Sequence, residues 1–306
     1  MAESRGKSEP NGGEPETRPV ALTARWIAAA RANESARPNR LFDDPYAEAL
    51  AGIGQVGGTT GGALRAGVSA IDDLIVQTSR AFGAPFLAIR TRFFDEVLLH
   101  AVRAGGVRQI VLLAAGLDAR AYRLPWPLGT RLWELDQPAV LAAKDAALAA
   151  VGAEPSCERR TLAVDLAVPG WTETLTAAGF DSRAPSAWLV EGLLMYLNEA
   201  AVRALLAAAA ALAAPGSWLG ADLFNTVVLN SPLLRPLIGL VAAQGAPWRF
   251  ASDDPAALFA DAGWTATVTG AREAGAGYGR WPFLVEPRRL RRMPRYFLVA
   301  AQRASG

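Results

Sequence analysis

An open α/β sheet, doubly wound and mostly parallel, is the fold this sequence predicts, and three features predict it. After Gly106, short apolar runs alternate with helical stretches, the pattern of strands joined by helical crossovers. The first run, 109–114 (QIVLLA), is apolar without alternation, as a parallel strand covered on both faces should be. Four of the runs end in a carboxylate: Asp136, Asp165, Glu191 and Asp222. In such a sheet ligands bind outside the carboxyl ends of the strands, so the same feature that marks the fold marks a site.

The elements follow in chain order. Residues 1–20 carry three basic and four acidic groups and no apolar signal core, and are expected to be a disordered tail. Leu22, Trp26, Ala29 and Ala30 fall at helical spacing, and Pro38 stops the helix. Asp44-Pro45 opens a short helix through Leu50, and six glycines over 52–62 make a loop. A helix over 84–104 shows a stripe of Phe86, Ile89, Phe93 and Val97, with Gly105-Gly106 at its end. Strands are expected at 109–114, 131–135, 160–164, 187–190 and 217–221, with late strands at 264–268 and 296–301. Helices are expected at 138–151, 171–178, 199–214 (N-capped by Asn198), 227–243 and 255–262. The longest apolar run, 204–214, is too short for a membrane span, which takes about 20 residues.

Composition removes several chemistries. Of 306 residues, 51% are hydrophobic and 20% charged, which excludes disorder over most of the length. The one cysteine, Cys157, excludes an internal disulfide and a thiolate zinc cage, and agrees with a reducing, cytoplasmic setting. The one histidine, His100, excludes a multi-histidine metal centre and reads as a helix-end residue.

What remains is the spacing of the acids. Asp136 lies 20 residues beyond Gly116, where an acid that hydrogen-bonds a ribose is expected in a mononucleotide-binding unit. The turn LLAAGLDAR holds one glycine instead of the several that a pyrophosphate requires. A ligand with ribose and adenine but no phosphate fits better. S-adenosylmethionine has this chemistry: Asp136 for the ribose diol, Asp165 for the adenine amine, Glu191 for the ammonium and Arg90 for the carboxylate. At this step other adenosine compounds remain open.

At these residues the sequence resembles a known family. The segments 36–50 (ARPNRLFDDPYAEAL), 90–96 (RTRFFDE), 109–127 (QIVLLAAGLDARAYRLPWP), 133–144 (WELDQPAVLAAK), 164–166 (VDL) and 187–197 (AWLVEGLLMYL) are similar to the leucine carboxyl methyltransferase-like family, in its actinobacterial and polyketide O-methyltransferase branch. The resemblance runs from about Leu22 to Gln302. It implies a Rossmann-like methyltransferase that uses S-adenosyl-L-methionine, with a tail at 1–20, an N-terminal helical cap at 21–105 and a cofactor-binding domain at 106–303. Cap and domain would form one structural unit, with a lid around 224–250. It also implies cofactor contacts at Arg90, Gly116, Asp136, Asp165, Leu166 and Glu191. Arg92 competes with Arg90 for register.

The expected reaction is O-methylation of a small molecule at a carboxylate, with no metal and no identified catalytic residue. A carboxylate near pKa ~4 is already ionised at neutral pH, whereas a phenol near ~10 benefits from a base, and no histidine base is evident. Hydroxyl and nitrogen acceptors are the alternatives. Tyr196 lines the substrate or packs in the core, and Trp26, Trp248 and Trp281 form a substrate wall or pack ordinarily. The arginines of 288–295 (RRLRRMPR) invite a nucleic-acid reading but read better as a solvated edge, because no recognition motif accompanies them. Neither a nucleic-acid nor a membrane partner is therefore expected. A nicotinamide-dependent oxidoreductase is disfavoured by the missing glycines.

Overall fold

The computed structural model describes residues 20–52, 86–243, 245–281, 284, 285, 287, 290 and 292–304. The tail through 19, the glycine-rich loop beyond Gly52, and Arg288, Arg289 and Arg291 lie outside the described residues.

Helices α1 (Val20–Ser35), α2 (Ala47–Ala51) and α3 (Phe86–Arg103) precede the sheet. Then come β1 (Gln109–Leu113), α4 (Arg120–Arg123), β2 (Arg131–Asp136), α5 (Pro138–Ala149), β3 (Glu158–Ala163), α6 (Trp171–Ala177) and β4 (Ser186–Val190). A 3-10 turn at Leu194–Tyr196 leads to α7 (Glu199–Leu212), β5 (Trp218–Phe224), α8 (Thr226–Leu229), α9 (Arg235–Ala243) and α10 (Pro255–Asp261). The chain closes with β6 (Thr265–Gly270), α11 (Ala271–Gly277) and β7 (Tyr296–Gln302).

The sheet order is β3-β2-β1-β4-β5-β7-β6, and β7 runs antiparallel to both of its neighbours. Strand β1 pairs with β2 on one side and β4 on the other, so the chain reverses its direction of growth there. That switch point opens a crevice at the carboxyl ends of β1 and β4.

The central parallel strands are buried on both faces, which is why QIVLL carries no polar alternation, whereas the edge strands β3 and β6 are half-buried to exposed. Ile110 and Leu112 pack with Phe94 and Leu98 of α3. Val111 and Leu113 point the other way, into a cluster with Trp133, Trp188 and Leu206. Helix α3 lies so close to the sheet that a Cβ on Gly220 would stand 2.9 Å from Phe94 Cδ1 and 3.2 Å from Leu189 Cδ1. Asn198 caps α7 as expected, accepting a hydrogen bond from the Ala201 amide at 2.9 Å.

Several elements differ from expectation. Strand β5 does not stop before Asp222 but runs to Phe224, so Asp222 is an interior strand residue opposite Leu298. The single helix expected at 227–243 is two, α8 and α9, separated around Ser231-Pro232, where proline lacks the amide a continuing helix needs. Helices α4 and α11 were not expected. Among the described residues no helix is long and apolar enough to cross a membrane.

Candidate functional site

A cavity of about 370 Å³ lies at the switch point, within the size range of small-molecule sites. Its wall includes every predicted cofactor residue, Arg90, Gly116, Asp136, Asp165, Leu166 and Glu191, and also Tyr196. Arg92 is elsewhere: it pairs with Glu96 at 2.8 Å and donates to the Leu41 carbonyl, so of the two competing arginines Arg90 is the one on the wall.

One end of the cavity is built on backbone. The turn after β1 takes two positive φ angles, 55° at Ala114 and 51° at Gly116; the second suits glycine, and the first is an uncommon strain for alanine. The turn brings the Gly116 amide to Asp136 Oδ2 at 2.6 Å, while the Gln137 amide donates to Oδ1 at 2.7 Å. The spacing of 20 residues thus has a simple cause. β1 and β2 are parallel neighbours, so the turn leaving one meets the end of the other. Burial raises the Asp136 pKa above its ordinary value, opposed by these two amides. Asp165 lies two residues beyond β3, exposed, accepting from the Ala167 amide at 2.9 Å. Leu166 is half-buried beside it.

The other end is a chain of buried ion pairs. Arg31 meets Asp44 at 2.7 Å, and Arg123 Nε reaches the same carboxylate at 3.9 Å. Arg123 and Arg120 share Asp95 at 2.6 and 2.7 Å. Arg120 also pairs with Asp118 and, at 2.7 Å, with Glu191. Glu191 then meets Arg90 Nε at 2.8 Å, and Arg90 Nη1 lies 3.2 Å from Asp222. In this chain four guanidiniums meet five carboxylates, which favours a ligand of net positive charge. Burial alone would lower the Arg120 pKa, but Asp118, Glu191 and Asp95 outweigh it and hold the guanidinium charged. Burial alone would raise Asp118, yet Arg120 draws it down to about 2.

Sequence reasoning named Arg90 and Glu191 but not Arg31, Asp95, Asp118, Arg120 or Arg123. For all but Arg31, which lies in neither segment, the signal was the alternation of charges within RTRFFDE and GLDARAYR. The spacing of Arg120 and Arg123 puts both on one helix face, turned to Asp95.

Tyr196 is on the cavity wall and also packs against the core on the α3 side of the sheet. None of Trp26, Trp248 and Trp281 is on that wall. Trp248 packs on Phe224 with ring centroids 4.5 Å apart, and Trp281 is buried against Gly275. His100 sits in the last turn of α3, edge-on to Trp218.

Arg249 completes the wall. Its amide donates to the carbonyl of Met195, the residue before Tyr196, at 2.7 Å, and its side chain is exposed. The other four arginines on the wall each pair with a carboxylate. For Arg249 no carboxylate partner is found among the described residues.

Comparison with known proteins bears on what this cavity holds. A family model described as leucine carboxyl methyltransferase matches residues 24–210. A protein of Mycobacterium sp. (strain KMS) is 48% identical over 209 residues, 67% of this chain and 68% of its own. One from Mycolicibacterium smegmatis is 42% identical over 277 residues, covering 85% of this chain and 87% of its own. One from Streptomyces coelicolor is 41% identical over 263 residues, covering 85% and 88%. All three carry the provisional name of an S-adenosyl-L-methionine-dependent methyltransferase. Among solved structures, a DUF574 family protein from Streptomyces avermitilis superposes with a TM-score of 0.58 over 92% of this chain and 97% of its own, at 13% identity. A protein from Thermobifida fusca, provisionally titled a methyltransferase, gives 0.52 over 76% and 88%, at 17% identity. At these identities the two structures speak to the Rossmann-like fold alone.

Proposed function

Because this chain belongs to the leucine carboxyl methyltransferase family of S-adenosyl-L-methionine-dependent methyltransferases, we propose that it methylates a carboxylate oxygen of a small natural product or metabolite. The observation that carries the reading is Arg249 beside Tyr196, a cation with no carboxylate partner among the described residues, on the wall of the cavity that also holds the predicted cofactor residues.

The donor set of the cavity fits the cofactor. Asp136 keeps acceptor capacity for a ribose diol after taking two amides, since each carboxylate oxygen has two lone pairs. Asp165 and Leu166 suit an adenine, offering one acceptor and one apolar surface. Glu191 complements an ammonium and Arg90 a carboxylate. When bound, the cofactor supplies an electrophilic methyl on a sulfonium, which an acceptor oxygen takes by in-line displacement.

The protein's share is positioning, which can contribute roughly 7–11 kcal/mol at best. Arg249 would hold the anionic acceptor. Burial raises the Tyr196 pKa above its ordinary value, so at neutral pH the hydroxyl is a hydrogen-bond donor and not a base. An acceptor already ionised near ~4 needs no base, which is the match with a carboxylate. Thr23, Ala24 and Ile27 of α1 and Ala246 and Pro247 flank the cavity, and we assign to these two segments the closure over substrate.

Methyl transfer from isotopically labelled cofactor to a panel of carboxylic acids, phenols and amines tests the proposal. The expected product is a methyl ester, recognised by release of labelled methanol in mild alkali. Label that survives alkali on a phenol or amine would overturn the carboxylate assignment.

A further inference from the structure

The structure assigns to Asp222, which is not on the cavity wall, the positioning of both Arg90 and the Glu191-Gly192 turn, and hence the affinity for the amino-acid end of the cofactor. This rests on the reading above that Arg90 and Glu191 take that end.

Asp222 is 0% exposed, in the interior of β5. A buried carboxylate is retained against a large desolvation penalty only where its partners repay it. Its Oδ1 accepts the Gly192 amide at 2.6 Å, and its Oδ2 faces Arg90 Nη1 at 3.2 Å and accepts the Tyr296 hydroxyl. One side chain therefore grips the guanidinium and, separately, the backbone immediately after Glu191. The turn and the guanidinium are also in contact: Gly192 has φ 69°, and a Cβ there would stand 3.3 Å from Arg90 Nη1.

The Tyr296 ring is wedged edge-on between Phe86 and Phe224, at centroid distances of 4.1 and 4.7 Å, so packing fixes its hydroxyl against Asp222. Arg90 has a second acid, Glu191, at Nε. Glu191 is also the residue proposed to turn toward the ligand's ammonium. When it does so, Asp222 is the partner left to keep Arg90 in place. A third aspect is charge. Burial pushes Asp222 up to about 6, against the pull of Arg90, so the carboxylate is ionised at neutral pH and protonates in mild acid. The charged and titratable groups around it are Arg90 from α3, Glu191 after β4, Tyr196 in the 3-10 turn and Tyr296 of β7.

Two probes separate this role from general stability. S-adenosylhomocysteine carries the amino-acid end, and 5′-methylthioadenosine lacks it. Calorimetric affinities are measured for wild type, Asp222→Asn and Arg90→Gln. Asp222→Asn is expected to weaken S-adenosylhomocysteine about tenfold while leaving 5′-methylthioadenosine within about twofold. Equal loss for both ligands, or none for either, overturns the proposal. If Arg90→Gln fails to discriminate between the ligands, the assignment of the amino-acid end is wrong. If it discriminates and Asp222→Asn does not, only the role of Asp222 is wrong. Should Asp222→Asn not fold, the wild type still decides. Its affinity for S-adenosylhomocysteine is to fall as pH drops through about 6, with that for 5′-methylthioadenosine unchanged, and Tyr296→Phe is to move that midpoint upward by removing a donor to the carboxylate. A flat profile overturns it.

Discussion

The two ends of the cavity are built on opposite plans. At the Asp136 end the chain holds one acid with two backbone amides and leaves Asp165 exposed. At the Arg90 end guanidiniums and carboxylates from α1, α3, α4, β5 and the turn after β4 hold one another. A backbone-held acid needs only a turn of the right shape, so its loss harms the ligand more than the fold. A buried charge has no solvent to fall back on, so each member depends on the next. The lesson is that binding and stability are separable at one end and joined at the other.

The largest break of this comparison is Arg120→Met. Asp95, Asp118 and Glu191 all lose a shared cation while the volume is roughly kept. Breaking a buried pair from one side is expected to lower the unfolding free energy by about 3–5 kcal/mol. Guanidinium denaturation reads it, and a loss below about 1 kcal/mol would mean that the chain is not a stability element. Asp136→Ala is the counterpart at the other end. It is expected to weaken both S-adenosylhomocysteine and 5′-methylthioadenosine by at least about 1 kcal/mol, because both ligands carry the ribose. Unchanged affinity in a folded variant would refute the ribose role.

The same contrast explains what the sequence made legible. Strands such as QIVLL and SAWLV are apolar because both faces are covered, and composition alone reports that. Asp136 was readable because its partner is a neighbour in the sheet at a fixed spacing. Asp222 was misread as a strand end, since a charge in an apolar run looks like a boundary. What makes it an interior residue is Arg90, 132 positions earlier in the chain. Arg120 and Arg123 were passed over for a similar reason: charged side chains are mostly solvated, and their burial depends on acids brought in from α3 and the turn after β4.

Gly192→Ala acts at the junction of binding and stability. The positive φ is strained for alanine by about 1–2 kcal/mol, and the added methyl would press on Arg90. The expected result is a lower melting temperature together with weaker S-adenosylhomocysteine binding. If only the melting temperature moves, the contact between this turn and Arg90 does not matter for the ligand.

Arg249→Gln is the smallest expected effect and the most specific. The side chain is exposed, so its removal leaves no buried charge unpaired and the melting temperature should stay put. Its backbone is tied to Met195, and glutamine preserves that bond. An exposed charge pair contributes little, so KM for a carboxylate acceptor should rise by up to about fivefold. The effect should shrink as salt is added, because solvent-exposed attraction is screened. Affinity for S-adenosylhomocysteine should not change, since we propose Arg90, paired with Glu191 and Asp222, for the amino-acid end. A variant that loses cofactor affinity instead would place Arg249 at the charged end of the cavity. The proposed carboxylate acceptor would then need a different cation to hold it.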